Sequence, residues 1–237
     1  MIPRDKIAVL LPVYNESRHL EEVIPSIRRQ GLHVLVVDDG SSDRSAELAE
    51  KLGAELVSNS GNRGKGYALR TGFHHLLKSG FDWIVIMDSD GQHIPADIPR
   101  FIEKAESGSF GVINGTRLEA PKRMPPLRLW TNLIMSGIVS LVARREIKDA
   151  QCGFKMLSAA FLREARLESD KFEIEDELLL EAVRLGYRIA CVPVTSAYGI
   201  ERSHIRPFHD TLRFLKFVIL RLTRSPGAAA RGSKVER

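Results

Sequence analysis

Cysteine is nearly absent from this chain. Cys152 and Cys191 are the only two in 237 residues. That is too few to staple a chain of this length, so a disulfide scaffold is excluded. Both read as reduced thiols of a cytoplasmic protein. Long apolar runs are missing too. The longest stretch without a charged residue is Leu129 to Ala143, 15 residues between Arg128 and Arg144. A bilayer span takes about 20 residues, and Thr131, Asn132, Ser136 and Gly137 interrupt this one. It reads as a helix that is buried or lies at an interface. The start, Met1 to Lys6, lacks the layout of a signal peptide. No metal spacing joins the seven histidines; His33, His74 and His75 read as surface residues. No Ser-His-Asp or Cys-His arrangement and no internal repeat emerges.

What is present is ordinary in bulk. Hydrophobic content of 43% and charged content of 27% exclude disorder and collagen and point to a folded domain. The length fits one large α/β domain or two small ones. The formal net charge of +5 conceals a division. Residues 117–148 hold seven basic and two acidic groups, +5, and residues 201–237 hold nine and three, +6. The remaining 168 residues therefore sum to −6. A mildly acidic body carries two basic segments, suited to nucleic acid, anionic lipid or a phosphorylated substrate.

Short apolar runs alternate with helical spacing through the first half. Ile7 to Leu11, closed by Pro12, reads as a buried parallel strand. Leu20, Val23, Ile24 and Ile27 then recur at helical spacing. Strands are expected at 34–37, 55–57, 83–87 and 112–113, and helices at 44–52, 64–79 and 96–107. Ser42 or Asp43 can cap the second helix, and Gly53 and Gly80 suit helix ends. The second half predicts a helix pair at 126–145, a Gly-Phe-Lys turn at 153–155 and helices at 158–165 and 174–186. A strand at 189–194 and a final helix at 207–223 complete it. The pattern implies an α/β fold with a Rossmann-like, mostly parallel sheet flanked by helices, binding ligands beyond the carboxyl ends of its strands.

Polar clusters sit at those ends. Asp88 and Asp90 follow the fourth strand, and two carboxylates so placed are costly unless a cation joins them. Mg²⁺ or Mn²⁺ suits such oxygen ligands, and Gln92 adds a neutral oxygen. Asp38 and Asp39, ahead of Gly40, are surplus to helix capping and can accept from a ribose or a base. Tyr14 offers a ring to stack on a base, and Glu16 an acceptor; Asn15 or Ser17 can instead serve to cap the first helix. Gly61-Asn62-Arg63-Gly64-Lys65-Gly66 looks like a phosphate loop, though neither the Walker nor the dinucleotide spacing fits.

Four motifs occur in order: Pro12-Val13-Tyr14-Asn15-Glu16, Val37-Asp38-Asp39-Gly40-Ser41-Ser42-Asp43, Asn62-Arg63-Gly64-Lys65-Gly66 and Asp88-Ser89-Asp90-Gly91-Gln92-His93. Together they resemble family 2 glycosyltransferases of the GT-A fold, specifically the polyprenyl-phosphate (dolichyl-phosphate) hexosyltransferases. The resemblance covers roughly residues 6–200. It implies a nucleotide-sugar donor, a divalent ion and inverting transfer to a polyprenyl phosphate. Pro12, Tyr14, Glu16 and Asp39 would then hold the nucleoside, with Asp38, Gly40, Lys65, Asp88 and Ser89 completing the nucleotide site. Asp88, Asp90 and Gln92 would hold the metal. Arg117 would face the phosphates, and Asp90, Arg117 and Arg202 form the catalytic set. Arg123, Arg128, Gln151, Gly153, Phe154, Lys155, Glu175 and Asp176 fall on the acceptor side. The stretch Asp149 to Lys155 is similar to the glucosyltransferase branch, which tilts the donor choice between UDP-glucose and GDP-mannose only slightly. The Q-x-x-R-W signature of processive synthases is absent.

The resemblance divides the chain into a GT-A catalytic domain at 1–205, with a nucleotide half at about 1–117 and an acceptor half at about 118–205. A basic amphipathic helix at 206–224 and a disordered tail at 225–237 follow. The helix fits a protein lying on anionic lipid at the cytoplasmic face of a membrane; packing on the core or in a homodimer stays open. Alternatives are a soluble or polysaccharide acceptor, or nucleotide-sugar binding without catalysis. Nucleic acid is not expected as a partner, because no recognition motif accompanies the charge.

Overall fold

The computed structural model describes residues 1–117 and 126–196, the side chains of 126–128 excepted. All of them fall within one compact unit, Met1–Glu201. The expected helices at 206–224 and 207–223, the tail, and residues Arg123 and Arg202 lie outside the described residues, as does the side chain of Arg128.

The first four strands are β1 (Ile7–Val13), β2 (His33–Asp38), β3 (Glu55–Ser58) and β4 (Trp83–Ile86). They pair in parallel in the order β3-β2-β1-β4. Ile7 to Leu11 are fully buried, which is why this strand reads as an unbroken apolar run. The helices between them are α1 (Ser17–Arg28), α2 (Ser45–Lys51) and α3 (Lys65–Lys78). Leu20, Val23, Ile24 and Ile27 form the buried face of α1. Gly53 and Gly80 follow α2 and α3 with φ of 78° and 81°, the left-handed conformation that ends a helix cheaply. The chain leaves β1 toward β2 on one side and returns to β4 on the other, so the strand order reverses between β1 and β4. A crevice opens at the carboxyl ends at such a reversal.

The rest of the sheet is mixed. The elements are α4 (Ile98–Glu106), β5 (Val112–Thr116), α5 (Pro126–Ala143), β6 (Lys155–Ser158), α6 (Ala159–Glu164), α7 (Ile174–Arg184) and β7 (Ile189–Pro193). The full order is β3-β2-β1-β4-β6-β5-β7. Strand β6 runs antiparallel to both neighbours, β4 and β5, and β5 pairs with β7 in parallel. One sheet thus draws strands from both sides of residue 117.

Three expectations are corrected. The helix pair at 126–145 is a single helix, α5; nothing inside it breaks the backbone, since Gly137 alone does not end a helix. The turn at 153–155 leads directly into a strand, because Lys155 already pairs with Ile86 of β4. The cap of α2 is Arg44, without a side-chain cap, and Asp43 acts one residue earlier by accepting from Ser45 N at 2.9 Å. Among the described residues no helix is long and apolar enough to cross a membrane.

Candidate active site

The loops after β1 and β2 are sewn together. Asn15, at φ 58°, does not cap α1. Its Oδ1 accepts from Ser42 N at 2.8 Å and Asp43 N at 3.3 Å. Asn15 N donates to Ser41 Oγ, and Glu16 N donates to Ser45 Oγ, at 2.9 and 3.0 Å. Asp43 accepts in turn from Ser17 N at 3.2 Å. These bonds fix the backbone under Tyr14, whose ring is exposed, and under Glu16 and Pro12, both partly exposed.

Asp38 and Asp39 are buried. Asp38 accepts from Ser41 N. Asp39 accepts from Asn59 Nδ2 at 2.8 Å, Arg63 N at 3.0 Å and Gly64 N at 2.6 Å. Gly40, at φ 76°, passes so close to the next loop that a Cβ there would lie 2.5 Å from Gly61 Cα. The phosphate-loop expectation is therefore corrected. The amino end of α3 does favour an anion, and the anion is the protein's own Asp39 carboxylate. Gly64 and Gly66 serve the packing of residues 169–171: added Cβ atoms would lie 2.5 Å from Asp170 O and 2.3 Å from Ser169 O. Arg63 lies over the Tyr67 ring, 4.5 Å from its centroid.

Lys65 leaves that loop for the β4 end. Its ammonium is ion-paired to both Asp88 and Glu175. Burial alone would lower the Lys65 ammonium's pKa, and the two carboxylates, Asp88 first, reverse that and raise it well above the usual range. Burial likewise raises the Asp88 carboxyl, and the Lys65 ammonium above all brings it below the ordinary carboxylate range. The cation that makes the acidic turn tolerable is, among the described residues, Lys65. Asp88 stays partly exposed. Ser89 is buried and donates to Pro12 O at 3.0 Å, tying β4 to β1. Asp90 Oδ1 accepts from Gln92 N at 2.9 Å around Gly91, at φ 74°. Asp90 and Gln92 are partly exposed.

Among the described residues no group of three or more His, Cys, Asp or Glu forms a metal cage. The donors fit an open ion site instead. Asp88, Asp90 and Gln92 are hard oxygen ligands, and Mg²⁺ commonly takes one or two carboxylates and completes its shell with substrate phosphates. Gly153 holds space beside them: a Cβ there would lie 2.2 Å from Asp88 Oδ2.

Arg117, at the end of β5, is buried. Its Nε and Nη2 donate to Asp149 Oδ2 and Oδ1 at 2.9 and 2.6 Å, and its N donates to Oδ2 at 2.7 Å. Asn132 of α5 donates to Asp149 Oδ1 at 2.5 Å. Burial would raise the Asp149 carboxyl, and Arg117 outweighs it and holds it low. Asp149 is thus the carboxylate to which the guanidinium is fastened.

The acceptor-side residues divide. Lys155 is fully buried, and its Nζ donates to Asn114 Oδ1 at 2.6 Å, Ala150 O at 3.1 Å and Cys152 O at 2.6 Å. It is corrected from a ligand contact to an internal strut, since all three ammonium hydrogens are spent. Phe154 is buried too, stacked on Phe101 at 4.5 Å, and is corrected to a core residue. Gln151 is partly exposed. Glu175 belongs with Lys65.

Asp176 is the unusual one. It is buried, and its Oδ1 has no hydrogen-bond partner. Burial above all, with Glu175 beside it, pushes its carboxyl up to about 8. The folded chain therefore binds a proton there that the unfolded chain releases near 3.8. Stability should fall as pH rises from about 4 to about 8 and level off above, since the native state holds the extra proton throughout that window. Denaturant midpoints at pH 5 and pH 8 should show this slope, and Asp176→Asn should flatten it while stabilising the protein at pH 8.

His93 follows Gln92 on the same turn. It is buried, 5.3 Å from the Phe154 ring and with Nε2 3.8 Å from Asp88 Oδ2. Burial pushes its imidazole down to about 4. Its place just past the acidic turn is the feature in the sequence that marks it. Of the expected surface histidines, His74 is exposed. His33 and His75 share Glu55, at 2.8 and 2.6 Å. A hollow of about 450 Å³ lies at the opposite end of the strands, beside Arg28, His33 and Phe81; Asp38, Asp39, Lys65, Asp88, Asp90 and Arg117 do not line it.

Comparison with known proteins agrees with this architecture. The model of a family described as Glycosyl transferase family 2 matches residues 8–165. A dolichol-phosphate mannosyltransferase of Pyrococcus furiosus is 32% identical, over 82% of this chain and 57% of the relative's length. A UDP-N-acetylglucosamine–dolichyl-phosphate N-acetylglucosaminyltransferase of Methanococcus voltae is 27% identical, over 81% of this chain and 86% of the relative. The solved glucosyl-3-phosphoglycerate synthase of Mycobacterium tuberculosis, in complex with Mn²⁺, UDP-glucose and phosphoglyceric acid, superposes with a TM-score of 0.72. It covers 95% of this chain and 81% of its own at 23% identity, a likeness of fold.

Proposed function

The chain belongs to glycosyl transferase family 2, and from that premise we propose that it transfers a hexose from a nucleotide sugar to a polyprenyl phosphate, with inversion, at the cytoplasmic face of a membrane. That it is a glycosyltransferase follows from the family and its relatives. The donor, the metal and the acceptor are the proposed part. The observation that carries it is the partly exposed Asp88–Asp90 pair at the reversal of strand order, with Lys65 fastened to it.

The nucleoside is taken between Tyr14, whose exposed ring can stack on a base, and the acceptor oxygen of Glu16. Pro12 and Ser89 form the floor between β1 and β4, while Asp38, Asp39 and Gly40 hold the rim. Asp88, Asp90 and Gln92 would hold a Mg²⁺ or Mn²⁺, which would supply neutralisation of charge on the leaving diphosphate. A phosphate oxygen of the acceptor attacks the anomeric carbon, the bond to the diphosphate breaks, and nucleoside diphosphate leaves. The acceptor is already ionised near pH 7, so it needs less help from a general base than a sugar hydroxyl would. It does need cations beside an anionic donor: Lys65 and Arg117, joined in this proposal by Arg123, Arg128 and Arg202. The relatives named for dolichyl phosphate support this acceptor.

Asp176 favours a second reading. A buried carboxyl with an orphan oxygen and a pKa near 8 suits a general base for a hydroxyl acceptor, as in a soluble sugar or glycerate. One assay separates the two: nucleoside diphosphate release from UDP-glucose and GDP-mannose, with a short polyprenyl phosphate or a polyol acceptor. The first reading expects release only with the lipid phosphate, and little loss in Asp176→Asn. The second expects release with the polyol, and a loss of about 10²- to 10⁴-fold in Asp176→Asn.

A further inference from the structure

Helix α5 is apolar on both sides. Its inner face buries Met135 and Val139 together with two polar residues, Asn132 and Ser136. Ser136 Oγ donates to Asn132 Oδ1 at 3.0 Å and accepts from Ala150 N at 3.0 Å. Ser140 Oγ accepts from Ile147 N at 2.9 Å. Four large apolar residues face outward, Trp130 at 65% exposed, Leu133 43%, Ile134 60% and Leu141 79%. At positions i, i+3, i+4 and i+11 they form one stripe, about 16 Å long at 1.5 Å per residue. Of the seven exposed large hydrophobics among the described residues, four lie on this one helix. Scattered apolar side chains need no explanation, but a stripe of this kind does.

We infer that this face of α5 lies on an anionic lipid surface. Exposed Arg144, Arg145 and Lys148 follow the stripe, and residues 117–148 carry a net +5. A second copy of the chain would bring the same positive charge to the contact, whereas anionic headgroups neutralise it. Leu and Ile at the middle with Trp toward one end is the composition of a helix lying in the interface. The helix cannot cross the bilayer, because the polar residues of its inner face are committed to residues 147–150. That same face carries the Asn132 bond to Asp149, the partner of Arg117, so the docked helix is braced directly against the site. The inference rests on the lipid-phosphate reading for its purpose; its evidence is the helix.

Flotation of the full chain with phosphatidylcholine vesicles, with and without phosphatidylglycerol, tests it. The chain should float with the anionic vesicles, and Trp130 emission should move to the blue. The chain has two tryptophans, so a Trp83→Phe background isolates the signal. Each buried large apolar side chain is worth at least about tenfold in partitioning, so the double variant I134S/L141S should lose on the order of 100-fold. Both side chains are exposed, so circular dichroism and the melting curve should match the wild type. Undiminished flotation of the double variant, or flotation without a shift in Trp130 emission, would overturn the inference and move binding to another segment. So would a wild-type dimer, seen by light scattering, that does not float and that the double variant dissociates; the face would then join two copies. Transfer to a short soluble polyprenyl phosphate without flotation defeats the docking face alone. Flotation without transfer to any polyprenyl phosphate defeats the proposed function alone.

Discussion

Asp90→Ala is expected to reduce glycosyl transfer by about a thousandfold or more while the fold survives. A hard divalent ion held by carboxylates contributes several kcal/mol to a transition state in which the diphosphate gains charge, and about 4 kcal/mol is a thousandfold in rate. Asp90 is the more accessible of the two carboxylates to test by substitution, since it is not part of the Lys65 ion pairs. It is partly exposed, and its turn contact from Gln92 N is worth about 1 kcal/mol. Asp88 is the poorer test, because its removal also leaves the buried Lys65 with one carboxylate fewer. Nucleoside diphosphate release should report the loss in Asp90→Ala, and calorimetry should show donor binding that no longer responds to Mn²⁺. Unimpaired turnover of that variant in EDTA would contradict the metal assignment.

The second large effect concerns stability. Asp149→Ala leaves the Arg117 guanidinium buried without its bidentate partner and frees the Asn132 amide as well. Breaking a buried pair from one side costs about 3–5 kcal/mol, a large share of the roughly 5–15 kcal/mol that holds a domain folded. Denaturant unfolding should therefore show a collapse of the midpoint, or no folded protein at all. Replacing both partners, Arg117→Met with Asp149→Leu, should recover much of it, because an apolar pair of similar volume leaves no stranded charge. Transfer should not recover, since Arg117 is proposed to face the phosphates. A double variant as active as the wild type would remove Arg117 from the site. Because Asp149 is held below its usual range, its stabilisation persists through neutral pH and is lost only as pH falls below the ordinary carboxylate range.

The parallel half of the fold was legible because its rules are local. A strand buried on both faces, such as Ile7 to Leu11, must be apolar throughout, and α1 must show its apolar face at helical spacing. The acidic clusters at strand ends follow from that register. Strand β6 was not legible. It opens with Lys155, a residue that normally marks a surface, and the groups that let it be buried are Asn114 Oδ1 and two carbonyls. Such partners are assembled by tertiary structure and leave no local pattern. The glycine-rich loop misled for a related reason. Its glycines make room for residues 169–171, about a hundred positions away, and a phosphate would have asked for the same residue type. The Lys65–Glu175 pair, 110 residues apart, is equally non-local. Four motifs in order identify the family; what each residue touches needed the fold.

The central claim is transfer from a nucleotide sugar to a lipid phosphate. It is tested most directly by incubating the full chain with labelled UDP-glucose or GDP-mannose, Mn²⁺ and a short polyprenyl phosphate, then weighing the lipid product. The expected product is a polyprenyl phosphate one hexose heavier, with one nucleoside diphosphate released per product, and neither forms with Asp90→Ala. Label that appears only in a water-soluble glycoside, with the lipid phosphate unchanged, would contradict it.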